Sequence, residues 1–281
     1  MITDIHTHLM KFENFDYGEF AQDLRRIGEE PHNLISDYSI HEEKALVCDK
    51  VIVFGLDAKE CGLFVPNDYI AKYAEKHPEK VIGFASVNPA EDGAVLELER
   101  AVTVLGLKGL KLGPIYQRFD PCDREKAYPI YELCVHYGIP IIFHMGTSFV
   151  RGGLLEWSKP AHIERVAMDF PSLKMVIAHL AHPWEGEAIA LIRKQPNVYA
   201  DISALYYRTW QFYNSMRLAI EYHVTDKLLF GTDFPFTTVQ STIEGMKAIC
   251  SMAEKSMLPE VPWEVFEGII HRNSLELLGV K

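Results

Sequence analysis

Lys174-Met175-Val176-Ile177-Ala178-His179 is an apolar run opened by a lysine and closed by a histidine. A strand with one wet face alternates apolar and polar residues. One that is apolar throughout is buried on both faces, as in a parallel sheet covered by helices. Val51-Ile52-Val53-Phe54 reads the same way. Comparable β-branched runs recur at 3–8, 50–56, 81–88, 107–112, 140–144, 174–179, 198–202 and 227–232. Helical periodicity fills the intervals, with helices expected over 67–77, 94–105 and 127–137, the last stopped by Gly138, and a closing helix over 263–278. One strand for each helix means βα units, and eight such units fit a closed (β/α)8 TIM barrel better than an open sheet.

Two stretches break the rhythm. Residues 9–49 are too long for a simple βα connection and are expected to form a helical lid inserted after the first strand. Residues 145–162 form a long loop containing Gly146, Arg151, Gly152 and Gly153. With no repeat, linker or low-complexity tract, residues 1–281 read as a single barrel domain.

Bulk composition sets outer limits. The chain is 48% hydrophobic and 24% charged, enough apolar material for a large core. A net charge of −11 argues against nucleic acid as a partner, since phosphate binding needs clustered Lys and Arg. No apolar stretch reaches the ~18 residues of a membrane span. Five scattered cysteines, with no C-x-x-C pair and no leader-like N-terminus, lead to an expectation of a reduced, cytoplasmic protein acting on a small molecule.

The chemistry is expected where barrel strands end, because those ends converge on one mouth. His6 and His8 sit two apart on the first strand and so share a face, where both imidazoles can reach one ion. Asp4, on the same face, is placed to lie near that ion or to support its ligands. Lys111 ends the fourth strand, His144 the fifth, His179 the sixth, and Asp233 follows the eighth. Any one of these alone reads as a strand cap or a solvated side chain. A polar residue capping a buried apolar strand needs a partner, though, and five of them together point to a common one.

The set Asp4-Ile5-His6-Thr7-His8, Phe143-His144-Met145-Gly146, Ile177-Ala178-His179 and Gly231-Thr232-Asp233-Phe234-Pro235 resembles the amidohydrolase superfamily. The nearest likeness is to the amidohydrolase-related branch that also contains aminocarboxymuconate-semialdehyde decarboxylase. The resemblance runs along nearly the whole chain. It implies His6, His8, His144 and Asp233 as ligands of a divalent metal, Zn2+ ahead of Mn2+, with one ion favoured over two. It makes His179 either a ligand of a second metal or a catalytic base. His182 departs from the branch's glycine-rich pattern and stands as a second candidate, with loop packing as the plainer reading. Lys111 corresponds to a lysine that is carboxylated in binuclear members; here a substrate-facing or supporting lysine is the favoured reading. Superfamily precedent implies a homodimer.

On the same rim lie Tyr116, Arg118, Arg151, Trp184, Tyr206, Arg208 and Phe234, whose aromatic and guanidinium groups suit a flat or carboxylated substrate. The leading expectation is hydrolysis of an amide, ester or lactone by a water whose pKa the metal lowers toward ~7, with Asp233 and His179 as the catalytic pair. The alternative keeps the site but makes it a non-oxidative decarboxylase or hydratase of an unsaturated or aromatic carboxylic acid. A non-catalytic metal-binding barrel ranks last, because every expected position is filled.

Overall fold

The computed structural model describes residues 1–15 and 18–280. All eight expected strands are present, and they are parallel. Thr3–His8 pairs with Lys50–Phe54, which pairs with Val81–Gly83. That third strand resumes after Phe84 as Ala85–Ser86, and Leu110–Leu112, Ile141–Phe143, Met175–Ile177, Val198–Asp201 and Leu228–Leu229 follow in order. The ring closes between the last strand and the first: Ile5 N donates to Phe230 O at 3.1 Å, and His8 N to Phe234 O at 2.8 Å. The fold is therefore a (β/α)8 barrel.

Its two apolar layers follow from the doubly buried strands. Ile5, Ile52, Phe54, Phe84, Ile142, Val176 and Leu229 pack together, and the alternate residues of the same strands join a larger cluster with the helices. Among the helices are Asn67–Lys76, Ala94–Thr103 and Tyr128–Tyr137, the last ended by Gly138 at φ 65°. The single closing helix expected over 263–278 is instead two, Trp263–Ile270 and Ser274–Leu278. The Arg272 guanidinium donates to the carbonyls of Leu228 and Thr225, and the Asn273 side chain caps a fresh helix. The break lets Leu278 pack into the same cluster as Ile5 and Leu229. No helix among the described residues is long and apolar enough to cross a membrane.

Between the first two strands lie the helices Glu19–Arg26 and Tyr38–Lys44 and the short turns Phe12–Asn14 and Pro31–Leu34. Asp16 and Tyr17 of this insertion fall outside the described residues. The insertion is tied to the metal-strand candidate by His41, which is fully buried. Its Nε2 lies 3.0 Å from Thr7 Oγ1 and its Nδ1 2.9 Å from the Tyr73 hydroxyl. Thr7 Oγ1 already donates to Ile52 O, so it must accept from His41 Nε2–H, leaving Nδ1 to accept from Tyr73.

That neutral histidine makes stability depend on pH. Burial pushes His41 down from 6.5 to about 3, with His77 and His8 adding to the effect and Glu42 opposing it. The unfolded chain takes up the proton first, so the contribution is complete above pH 6.5 and is lost as pH falls toward 3. The loss is about 1.4 kcal/mol per unit within that window. Between pH 6.5 and 5.5, where the unfolded histidine goes from half to almost fully protonated, urea unfolding should show the wild-type protein losing about 1 kcal/mol more than His41→Phe. Parallel losses in the two proteins would remove His41 from the account.

Candidate functional site

The strand ends do converge. Side chains two apart on the first strand bring His6 and His8 to one side, each against the edge of the Phe54 ring, at 5.0 and 4.7 Å between centroids. Asp233 Oδ1 comes within 3.2 Å of His6 Nε2 and 3.1 Å of His8 Nε2. The His179 ring stands 4.8 Å from that of His6, and ligand atoms of His6, His179 and Asp233 all lie within 4.8 Å of one another. Lys111, 2% exposed, places Nζ 3.1 Å from His6 Nε2. His144 stands at the edge of this group. Its ring is 5.1 Å from that of His179, and its Nε2 faces Thr147 O at 3.2 Å.

The backbone pays conformational strain to hold two of these side chains. Asp233 and His179 adopt φ of 67° and 57°, a left-handed region that non-glycine residues avoid. Such positions cost about 1–3 kcal/mol each and persist only where hydrogen bonds over-determine them. Asp233 N donates to His6 O at 2.8 Å. Just before it, Asp4 accepts from Thr232 N at 3.0 Å and Thr232 Oγ1 at 2.6 Å, while also accepting from His6 N at 3.0 Å. Asp4 thus clamps the first strand to the turn that carries Asp233.

Electrostatics favour a cation at the centre. Burial alone would raise the Asp233 carboxyl, but His179, His6 and His8 outweigh it and hold it well below its ordinary value. Burial lowers His8 and His179 to about 4 and Lys111 to about 8, and it holds His144 well below its ordinary value. His6 goes the other way: burial and Lys111 lower it, yet Asp201 and Asp233 raise it above 6.5. Each imidazole nitrogen that faces this carboxylate oxygen must either carry a hydrogen or share a cation with it. Neutral imidazoles with a carboxylate are the donor set that a divalent transition metal takes.

Two participants were not singled out from the sequence. Asp201, fully buried, accepts from His6 Nδ1 at 2.8 Å and from His179 N at 2.9 Å. Ser203 Oγ lies 2.7 Å from His179 Nδ1. Asp201 ends the apolar run Val198-Tyr199-Ala200, the same signal that marked His144 and His179, so it was open to detection.

The site opens into a cavity of about 840 Å3. Its wall includes His8, Lys111, His144, His179, His182 and Asp233, with Tyr116, Phe149, Tyr206, Tyr207, Arg208 and Phe236 among its larger side chains. The insertion adds Phe20, Leu24, Arg26 and Asn33. His182 is held by Glu185, Nδ1 to Oε1 at 2.6 Å, on the wall rather than in the ligand group. Four of the rim residues expected to contact substrate lie outside the lining. Arg118 pairs with Glu19, and Arg151 with Asp23 at 2.5 Å. Trp184 lies under the Lys159 ammonium, and Phe234 is buried against His41.

Comparisons with known proteins agree with this fold. A family model described as amidohydrolase matches residues 3–280. An uncharacterized TIM-barrel protein from Bordetella bronchiseptica is 25% identical, with a TM-score of 0.73 over 99% of this chain and 98% of its own. The 5-carboxyvanillate decarboxylase of Novosphingobium aromaticivorans, solved with manganese and 4-hydroxy-3-methoxy-5-nitrobenzoic acid, superposes with a TM-score of 0.68 at 16% identity. That match covers 100% of this chain and 96% of the decarboxylase. A probable 2-pyrone-4,6-dicarboxylic acid hydrolase from Acinetobacter baumannii gives 0.64 at 14% identity, covering 99% of each.

Proposed function

The chain belongs to the amidohydrolase family, and from that premise we propose that it is a metal-dependent lyase that removes CO2 from a small aromatic or unsaturated carboxylic acid. One observation carries the reading: the Asp233–His6–His8 contact opens onto a cavity walled by aromatic rings, with Arg208 and Lys111 as cations. Flat faces suit a planar acid, and the guanidinium suits an anionic group on it. The decarboxylase neighbour solved with manganese and a benzoic acid derivative supports this choice over hydrolysis.

His6, His8 and Asp233 would hold the ion, with His179 beside His6 and Asp233 and His144 next to His179. The neighbour's manganese places Mn2+ beside Zn2+ as a candidate. A divalent ion there supplies positive charge that holds the carboxylate and offsets the negative charge built up as the C–C bond breaks. When CO2 leaves, the bonding electron pair stays on the carbon and a proton takes the vacated place. Asp233 is the group proposed to deliver that proton. Because its neighbours keep it ionised, it takes up the proton from water or from a substrate hydroxyl before each delivery. Tyr116, Tyr206 and Tyr207 orient the ring, and the insertion at 9–49 serves as the lid that excludes water.

Hydrolysis is the second reading. An ionised Asp233 is the state a general base requires, and one neighbour is described as a hydrolase. The two separate cleanly by product. Protein loaded with Mn2+ or Zn2+ is incubated in D2O with hydroxybenzoates, unsaturated dicarboxylates and pyrone lactones. CO2 release with one deuterium at the vacated carbon supports the lyase. Ring opening with solvent oxygen in the product and no CO2 overturns it in favour of hydrolysis.

A further inference from the structure

We infer that Asp201 and Ser203 form a positioning pair that orients His6 and His179 together, so that each carries a proton on Nδ1 and turns Nε2 toward the site. The inference rests on the proposed metal site for its consequence, but its structural content follows from counting hydrogens.

Asp201 lies fully buried at the end of the seventh strand, and four donors converge on it. His6 Nδ1 reaches Oδ2 at 2.8 Å. His179 N and Ser203 N reach Oδ1 at 2.9 and 3.0 Å, and Ser203 Oγ reaches the same oxygen at 2.5 Å. Two oxygens that close need a hydrogen between them, and a carboxylate so surrounded by donors has no use for one of its own. The hydrogen is therefore the single hydroxyl proton of Ser203. That commits Ser203 Oγ to be an acceptor toward His179 Nδ1, 2.7 Å away, so the hydrogen in that contact belongs to the imidazole.

One carboxylate thus sets His6 directly and His179 through one hydroxyl. The arrangement turns His6 Nε2 toward Asp233 Oδ1 and Lys111 Nζ, at 3.2 and 3.1 Å. Asp201 also ties down the strained backbone of His179 through its N–H, so ring orientation and main-chain conformation share one anchor. Supporting hydrogen bonds of this kind typically govern metal affinity by about 10–100-fold when removed.

The test uses the full chain with 15N-labelled histidine. Long-range 1H–15N spectra of metal-free wild-type protein should show His179 neutral with its proton on Nδ1, and Ser203→Ala should alter that pattern while leaving His6 bonded to Asp201. Mn2+ titration should show dissociation constants about 10–100-fold higher in both Ser203→Ala and Asp201→Asn than in wild type. A His179 proton on Nε2 in the wild-type protein overturns the inference, as does an unchanged His179 signal in Ser203→Ala. If the wild-type chain shows the stated tautomer yet takes up no divalent ion, the pairing stands and the metal-dependent function fails.

Discussion

Asp233→Asn should lower turnover by about 10³-fold or more while leaving the barrel folded. Asparagine has nearly the same shape as aspartate and tolerates the left-handed backbone found at φ 67°. The Asp233 N to His6 O bond, which needs only main-chain atoms, should therefore survive. The carboxamide cannot carry a proton to or from a reacting atom. It would also turn either a weaker acceptor or an N–H toward His6 Nε2 and His8 Nε2, where the carboxylate oxygen now sits at 3.2 and 3.1 Å. Two measurements check the expectation together: rate on whichever substrate the product assay identifies, and metal content by elemental analysis. Circular dichroism matching the wild type would show that the loss is chemical. Undiminished turnover would remove Asp233 from the reaction under either the lyase or the hydrolase reading.

The second large effect is on stability. Gly146 follows the fifth strand at φ 99°, and a Cβ added there would lie 2.3 Å from His182 O and 2.8 Å from Ala181 C. These are backbone atoms that cannot swing aside. Next to it, Thr147 N donates to His182 O at 2.7 Å, stitching the loop after the fifth strand to the one after the sixth. Gly146→Ala should cost roughly 2–4 kcal/mol, from left-handed strain plus overpacking. Gly28→Ala separates the two causes, because Gly28 also has positive φ (88°) but nothing within 4 Å of its added Cβ. It should lose only the conformational part, about 1–2 kcal/mol. Equal urea midpoints for the two variants would mean that the loops are not in contact as described. Because His144 faces Thr147 O, Gly146→Ala should also disturb the edge of the site.

The eight strands were readable because each is a local apolar run, and burial on both faces leaves no polar residue to interrupt it. Val51–Phe54 and Met175–Ala178 show this most plainly. The placement of His6, His8, His144, His179 and Asp233 at strand ends was readable for the same reason, since a polar residue closing such a run marks where the strand stops. Asp201 carries the same mark, closing Val198-Tyr199-Ala200. The rim cations Arg118 and Arg151 lie outside the cavity lining for a different cause. Arg118 is drawn to Glu19 and Arg151 to Asp23, partners 99 and 128 positions away in the chain. Nothing local distinguishes them from Arg208, which does line the cavity.

The sequence by itself determined the barrel, the order of its strands and the chemical character of its mouth, because hydrophobic periodicity and residue type are local properties. Tertiary structure alone decided which polar groups meet. It grouped His179 with His6 and Asp233, turned Lys111 toward His6, split the final helix so that Leu278 packs with the barrel interior, and brought Asp201 and Ser203 beneath two imidazoles at once. The physical reason is that hydrogen bonds and ion pairs act over about 3 Å, and closing a ring of parallel strands brings within that reach residues that the chain itself holds hundreds of positions apart.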